Sequence, residues 1–281
     1  MVRSKSCRLV PKVALAAGFV CVTCGFLLAG CGKTKSGVQS LLRAIRSSKK
    51  SSAPQPARPA VSGPRLAIIL DDLGGDPSSV DAIFALHYPL TLSVLPNHPR
   101  STEIAQEAHQ RGYQVMLHLP MEAVANETQE TQELRPGMRD SEISSLLNSM
   151  LRSVPHAAGV NNHQGSLATS DAQLMGELMP LLYMHRLFFI DSRTTAATVA
   201  YDAAQAARVP CAFRNVPFLD DVQEIGAIRH QLDLAAKDAR EKGQAVAIGH
   251  PHPTTLRALA DFLPRAESQG IHLVHASDLV H

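Results

Sequence analysis

The stretch LAIILDDLGG, residues 66–75, carries five apolar residues directly into two adjacent aspartates, Asp71 and Asp72. A short, continuous apolar run is typical of a strand that is covered on both faces, as in a parallel sheet. Two neighbouring carboxylates repel each other, so either a divalent cation lies beside them or one of them has a raised pKa. The stretch therefore predicts a buried strand that ends at a charged site.

Seven further apolar runs follow, at residues 90–95, 114–118, 157–161, 187–190, 210–213, 244–248 and 271–274. Amphipathic stretches lie between them and predict helices, at residues 77–86, 101–111, 141–154, 171–185, 199–208, 222–242 and 254–269. Gly112 and Gly243 follow two of these helices, where a left-handed residue commonly ends a helix. The alternation predicts an α/β fold with parallel strands, and seven or eight units favour a closed or nearly closed (β/α) barrel over a doubly wound sheet.

The charge of the chain is divided between two parts. Residues 1–64 contain eleven of the 27 Lys and Arg residues and no Asp or Glu, which leaves 16 basic against 25 acidic residues in the rest of the chain. Nucleic-acid binding depends on Lys and Arg clustered at the binding face. The mildly acidic remainder therefore argues against nucleic acid as a partner.

The first residues are typical of a secretory signal, because basic residues precede an uncharged, mostly apolar run at residues 13–28 and small residues follow it. The sequence LAGC, residues 28–31, resembles the bacterial lipoprotein signal, in which the cysteine, here Cys31, becomes the lipidated first residue. An uncleaved membrane anchor is the alternative, although the run is shorter than the ~20 residues that span a bilayer. Either form would tie the protein to a membrane.

Residues 32–64 are rich in Ser, Lys, Ala and Pro and predict a disordered basic linker. We therefore expect three parts: a lipoprotein signal peptide or signal anchor at residues 1–31, the linker at 32–64, and a folded domain at 65–281. The expected location is the periplasm or another extracytoplasmic compartment.

Polar residues stand at the end of each predicted strand. In a βα barrel all of these ends lie on one face, which is the face that carries the active site. Carboxylates and neutral imidazoles together suit Zn²⁺ or a similar divalent ion, with three protein ligands and an open position for water. The polar residues at these ends are Asp71, Asp72, Asn97, His98, His118, Asn161, Asn162, His163, Asp191, Ser192, Arg193, Arg214, Asn215, His250, His252 and His275.

Five segments carry a resemblance to a known family. In chain order they are LAIILDDLGG (66–75), VMLHLPME (115–122), GVNNHQGS (159–166), FFIDSRT (188–194) and AIGHPHP (247–253). Together they resemble the divergent polysaccharide deacetylases, a distant branch of the polysaccharide deacetylases with a distorted (β/α) barrel. The resemblance covers essentially all of residues 65–281 and implies that the barrel is distorted or incompletely closed.

The resemblance also implies roles for the candidate residues. Asp71 corresponds to the general base and Asp72 to a metal ligand. Typical deacetylases supply two histidine ligands from one His-x-x-x-His loop, but here Glu122 stands four residues after His118. His163 is the best substitute, so Asp72, His118 and His163 form the expected ligand set.

The leaving group and the substrate are expected to meet a second set of residues. His250 or His252 would protonate the leaving group, with His252 as an alternative fourth ligand. Asp191 would either orient one of these histidines or pair with Arg193 or Arg214. Substrate binding is assigned to Asn161, Asn162, Arg193 and Arg214, of which Asn162 and Arg193 are candidate donors to the oxyanion.

The implied function is a metal-dependent hydrolase, with Zn²⁺ as the expected cofactor, that removes N- or O-acetyl groups from a cell-envelope glycan such as peptidoglycan. The missing second histidine of the loop favours an alternative, an inactive deacetylase-like envelope protein that binds a glycan or a protein partner. A different metal-dependent hydrolase on the same barrel is a third hypothesis. The absence of Trp and the 4% aromatic content favour a short oligosaccharide or a non-sugar substrate over a long polysaccharide.

Overall fold

The computed structural model describes residues 62–125, 130 and 132–281. The predicted signal segment with Cys31, and the predicted linker up to residue 61, lie outside the described residues. Within the described part, no helix combines the length and the apolar character needed to cross a membrane.

Eight parallel strands form one sheet, in the spatial order β6-β5-β4-β3-β2-β1-β7, and β8 pairs with β1. The strands are β1 (Arg65–Leu73), β2 (Thr91–Val94), β3 (Gln114–Met121), β4 (Gly159–Gln164), β5 (Phe188–Asp191), β6 (Cys211–Phe213), β7 (Gln244–Gly249) and β8 (His272–Val274). One edge of β1 pairs with β7, whereas its other edge pairs first with β8 and then, from Ile69 onward, with β2. The first predicted strand thus pairs with three other strands.

Seven α-helices alternate with these strands in the described residues. They are α1 (Pro77–Phe84), α2 (Ser101–Gln110), α3 (Asp140–Ser153), α4 (Ala172–Met184), α5 (Ala200–Ala206), α6 (Ile225–Lys242) and α7 (Pro253–Ser268). The predicted alternation is therefore confirmed. Gly112 and Gly243 have φ values of 87° and 83°, so both take the left-handed conformation expected at a helix end.

The side chains of each strand divide between two apolar cores. On β1, Leu66, Ile68 and Leu70 belong to the large core that includes the helices, whereas Ala67 and Ile69 pack in a smaller core with Met116, Ile190 and Ile248. This division follows from the alternation of side chains along a strand. Asp71 continues the series of Ala67 and Ile69, so the strand directs it to the inner side of the sheet.

The sheet closes into a nearly complete barrel with one seam, between β6 and β7. Asn215 spans the seam: its backbone N–H donates to the carbonyl of Val246 at 2.9 Å, and its side-chain Oδ1 accepts from the N–H of Val246 at 2.7 Å. The backbones of Cys211 and His281 exchange two further hydrogen bonds, of 3.2 and 3.3 Å. The expected (β/α) barrel, distorted and incompletely closed, is confirmed.

The predicted strands differ from the observed ones mainly at their carboxyl ends. Strand β1 continues through the two aspartates to Leu73, β3 continues from His118 to Met121, and β4 continues from Asn161 to Gln164. Polar residues remain in the strands because β3 and β4 pair in register as far as Met121 and Gln164. The candidate site therefore stands partly on strands and only partly on loops.

Glycine at position 159 is a packing requirement of this barrel. A Cβ atom there would collide with the ring of Phe188 on the neighbouring strand, whereas nothing lies within 4 Å of the Cβ position of Gly176 in α4. We expect Gly159→Ala to lower the free energy of unfolding by about 1–3 kcal/mol, because the core must be overpacked. Gly176→Ala is the matched control and should raise it by up to about 1 kcal/mol.

Urea denaturation of the two full-length variants beside wild type measures both values. Equal stability of Gly159→Ala and wild type would contradict the packing of Phe188 against β4.

Candidate metal centre and active site

A local irregularity in β1 brings both aspartates to one cavity. The pairing of β1 with β2 shifts register between Leu70 and Leu73, and Asp72 has a φ of 59°. In a regular strand two successive side chains would point to opposite faces, but Asp tolerates the left-handed conformation that changes this direction. Asp71 is 1% exposed and the side chain of Asp72 is 39% exposed, and both line a cavity of about 600 Å³.

Three of the predicted ligand atoms meet in this cavity. Oδ1 of Asp72 lies 3.0 Å from Nδ1 of His163 and 3.2 Å from Nε2 of His118, and these two nitrogens are 3.1 Å apart. Ligands bound tetrahedrally to Zn²⁺ at ~2.0–2.2 Å are about 3.3–3.6 Å from one another. The spacing and the His₂Asp chemistry of the three residues therefore fit a divalent ion such as Zn²⁺.

A buried asparagine fixes the tautomer of His118. Nδ2 of Asn161 donates to the two carboxylate oxygens of Asp71, at 2.9 and 3.0 Å, so Oδ1 of Asn161 is the acceptor that faces Nδ1 of His118 at 3.0 Å. The proton of the neutral imidazole therefore resides on Nδ1, which leaves the lone pair of Nε2 for a metal. The hydroxyl of Ser93 donates to the same Oδ1.

Asn161 thus has a different place from the one expected. It is 0% exposed and its amide is used within the protein, so the expectation that it binds substrate is corrected. A polar residue at a strand end reaches substrate only if it lies at the rim, and Asn161 lies one inward-facing position below His163 on β4.

The two aspartates have opposite pKa shifts. Burial raises the pKa of Asp71, and the charge of Asp72 adds to this, although the neighbouring imidazoles of His118 and His250 oppose it. Burial would also raise the pKa of Asp72, but its contacts with His118 and His163 outweigh burial and lower the pKa. In the metal-free protein, Asp71 is therefore the carboxylate of the pair with the raised pKa.

His250 stands on the other side of the same cavity, with a buried carboxylate behind it. Its Nδ1 lies 2.9 Å from Oδ1 of Asp220, its backbone N–H donates to Oδ2 of Asp220 at 2.7 Å, and its Nε2 lies 3.8 Å from Oδ2 of Asp72. Burial would lower the pKa of His250, but the carboxylates of Asp220, Asp71 and Asp72 outweigh it and raise the pKa to about 9. His250 therefore carries a proton near neutral pH in the metal-free protein.

Asp220 was missed from the sequence because it lies in the loop between β6 and α6, outside the predicted strands. A usable signal was present, since Leu219-Asp220-Asp221 repeats the Leu-Asp-Asp order of residues 70–72. The hydroxyl of Thr255 also donates to Asp220 at 2.7 Å, so the carboxylate is held from two elements.

Asp191 and His252 lie elsewhere than expected. Oδ1 of Asp191 accepts from the N–H of Arg193 at 2.8 Å, and its Oδ2 accepts from the hydroxyl of Thr198 at 2.9 Å, so it orients neither predicted histidine. The carboxylate that orients His250 is Asp220. Nε2 of His252 lies 3.1 Å from Nε2 of Gln223, and His252 is not among the residues that line the cavity.

Asn162, Arg193 and Arg214 all line the cavity, but only one of them has an uncommitted side chain. The amide of Asn162 bonds the carbonyl of Gln164 and the N–H of Ser192. The guanidinium of Arg214 donates to three backbone carbonyls, those of Ser192, Arg193 and Val216. These two residues therefore shape the rim, and Arg193 is the remaining candidate for contact with substrate.

Replacing Asp220 by asparagine removes the carboxylate behind His250. In metal-free, full-length protein we expect His250 to titrate near pH 9 in wild type and at a clearly lower pH in Asp220→Asn, as followed by NMR. A raised imidazole pKa stabilises the folded state fully below pH 6.5 and loses this contribution as pH rises through 9. The stability difference between the two proteins should therefore shrink between pH 6.5 and pH 9.

Asp221→Asn, which removes the adjacent and exposed carboxylate, is the matched control and should leave the titration of His250 nearly unchanged. A wild-type His250 that titrates near 6.5 would show that Asp220 does not raise its pKa.

Comparisons with known proteins show relatives of this chain in sequence and in fold. The uncharacterized protein YibQ of Escherichia coli K12 is 39% identical over 223 residues, which are 79% of this chain and 69% of YibQ. The solved structure of the uncharacterized protein ATU2773 from Agrobacterium tumefaciens has a TM-score of 0.73 at 23% identity, and covers 80% of this chain and 91% of that one. At that identity the likeness concerns the fold alone.

A more distant structure with the same fold is BA3943, a CE4 family pseudoenzyme from Bacillus anthracis, with a TM-score of 0.50, 11% identity, and coverage of 78% of this chain and 66% of that one. A mutant of BA3943 has restored enzymatic activity. Residues 68–280 of the present chain match the family described as divergent polysaccharide deacetylase. With this match and the identity to YibQ, the chain belongs to the divergent polysaccharide deacetylase family.

Proposed function

We propose that the protein is a metal-dependent hydrolase that removes N- or O-acetyl groups from a carbohydrate of the cell envelope. The observation that carries the proposal is the triangle of Asp72, His118 and His163, with Asp71 and His250 beside it in one cavity. Membership of the deacetylase family supports the reaction class. The envelope location, with membrane attachment through Cys31 or an uncleaved anchor, is part of the same proposal and rests on the sequence of residues 1–31.

A Zn²⁺ or similar ion held by Asp72, His118 and His163 would polarise the acetyl carbonyl and lower the pKa of water. The carboxylate of Asp71 lines the same cavity and would take the proton of the water that attacks the acetyl carbon. Asn161 holds both oxygens of that carboxylate in position.

Departure of the amine or alcohol requires a proton at the leaving atom. The Nδ1 proton of His250 is held by Asp220, so Nε2 is the atom that faces the cavity and donates. The proton taken by Asp71 and the proton given by His250 balance the hydrolysis of one acetyl group to acetate. The two groups then exchange a proton with water to restore the starting state.

An inactive glycan- or protein-binding role is the second candidate, and the replacement of the second loop histidine by Glu122 favours it. Glu122 is not among the residues that line the cavity, and its backbone bonds Leu134, Leu167 and Ala168. The position of His163 on β4 supports the enzyme proposal, because it supplies the third donor atom at ligand spacing. Acetate release decides between the two candidates.

Metal content tests the ligand set directly. We expect purified full-length protein to hold about one equivalent of Zn²⁺ or another divalent ion, measured by elemental mass spectrometry. Removal of an outer-sphere partner commonly lowers metal affinity about 10–100-fold, so Asp72→Ala and His163→Ala, which remove ligands, should lower it further. His252→Ala removes a nearby imidazole outside the triangle and should retain the metal. A wild-type protein that binds no metal would overturn the enzyme proposal.

Acetate release tests the general base. We expect wild type to release acetate from acetylated chito-oligosaccharides or peptidoglycan fragments, and Asp71→Asn to lower kcat by about 10²–10⁴-fold while it retains the metal. Asp261→Asn removes a surface carboxylate that pairs with Arg229 and serves as the control. Metal-loaded wild type that releases no acetate would favour the binding role, and full activity of Asp71→Asn would exclude Asp71 as the base.

A further inference from the structure

Arg193 lines the cavity that holds Asp71 and the candidate metal ligands, and its guanidinium is free to bind a ligand. Its side chain lies over the ring of Phe213, with the guanidinium carbon 3.6 Å from the ring centroid. Within the described part of the chain, no residue accepts a hydrogen bond from this guanidinium and no carboxylate pairs with it. Stacking covers one face of the group and leaves its N–H edges free to donate.

The backbone of Arg193 is held in a conformation that an unconstrained arginine rarely adopts. Its φ is 52°, in the left-handed region, which costs roughly 1–2 kcal/mol for a residue with a Cβ. The carboxylate of Asp191 accepts from its N–H at 2.8 Å, and the guanidinium of Arg214 donates to its carbonyl at 3.0 Å. The strain is therefore maintained by two specific contacts.

Asp191 is itself unusual, because it is 0% exposed and no cation pairs with it among the described residues. A buried carboxylate is costly unless hydrogen bonds satisfy it, and its two oxygens accept from Arg193 and Thr198. Buried charge and backbone strain of this kind gather at functional sites, where they pre-organise a side chain. Here the side chain that they position is Arg193.

We infer that Arg193 binds an anionic group, a carboxylate or a phosphate, of the carbohydrate substrate, and that Asp191 and Phe213 are its positioning residues. The inference rests on the proposed function, since it assigns a substrate class to the same cavity. A planar guanidinium with free edges matches both anions, because it can donate two parallel hydrogen bonds to either. The preferred substrate is therefore an acidic sugar rather than a neutral one.

Matched pairs of sugars test this preference. The disaccharide of N-acetylglucosamine and N-acetylmuramic acid differs from the N-acetylglucosamine dimer by a lactyl carboxylate, and N-acetylglucosamine 6-phosphate differs from N-acetylglucosamine by a phosphate. Dissociation constants are measured by calorimetry with metal-loaded, full-length Asp71→Asn, in which hydrolysis is slow. We expect one anionic probe to bind about tenfold or more tightly than its neutral partner, as is typical of hydrogen bonds to charged groups.

Variants of Arg193, Asp191 and Phe213 test whether these residues produce the preference for an anionic sugar. Arg193→Gln should bring the ratio of the two dissociation constants close to one and leave the neutral sugar nearly unaffected, and Arg193→Lys should keep part of the ratio. Asp191→Asn and Phe213→Leu should lower the ratio, which a purely structural role would not change. Arg186→Gln is the matched control, because Arg186 also has a left-handed φ, of 58°, but precedes β5 at the opposite end of the strand.

Equal binding of anionic and neutral sugars, or no binding of either, would overturn the inference. An Arg193→Gln variant that keeps the ratio of the two dissociation constants would also overturn the inference. The same holds if Arg193→Gln lowers the turnover of neutral and acidic substrates equally, as loss of an oxyanion donor would. Failure of the proposed function is seen separately, as the absence of bound metal or of acetate release. Arg193 is exposed, so its replacement by Gln tests the inference even if Asp191→Asn does not fold.

Discussion

The side chain of Asn161 connects the two halves of the candidate chemistry. It donates to both oxygens of Asp71 and accepts from His118, so one rigid amide fixes the proposed base and the tautomer of a proposed ligand together. Because Asn161 is buried and braced by Ser93 from β2, neither partner can turn without breaking a buried hydrogen bond. The distances of the metal triangle and the direction of Asp71 both depend on this link.

Left-handed residues in this fold serve two separate purposes. Arg186 and Arg208 directly follow the C-caps of α4 and α5, where a positive φ ends the helix and turns the chain toward the next strand, and His156 lies in the turn between α3 and β4. Asp72 and Arg193 stand instead at the carboxyl ends of β1 and β5, and both line the cavity. At these strand ends the strained backbone turns a side chain toward the cavity. The free-energy cost of the left-handed conformation therefore serves the candidate site.

The sequence was sufficient for the barrel, because apolar runs locate strands and parallel strands end at one face. The three residues of the metal triangle followed from the family resemblance together with the polar residues at these strand ends. The sequence was insufficient for side-chain direction and depth. Asp191 lies two positions after Phe189, which packs in the large core that includes the helices. Alternate residues of a strand face the same side, so Asp191 also lies on the helix side of β5. The sequence analysis placed Asn161 at the rim of the barrel, although Asn161 lies below the rim. Asp220 was missed because no local pattern marks it: hydrogen bonds between a distant loop and His250, at the end of β7, bring Asp220 to the site.

The second histidine of the triangle comes from a strand rather than from the loop after His118, and the register of the sheet explains how this is possible. His118 pairs with Asn161, so His163, two residues further along β4, faces the same side one layer closer to the rim. The two candidate histidine ligands on β3 and β4 are held by a hydrogen-bonded ladder, which is more rigid than a loop, and the candidate ligand Asp72 lies at the irregularity of β1. The presence of Glu122 in place of a loop histidine is therefore a weak argument against metal binding, since the neighbouring strand offers an imidazole at ligand distance from Asp72.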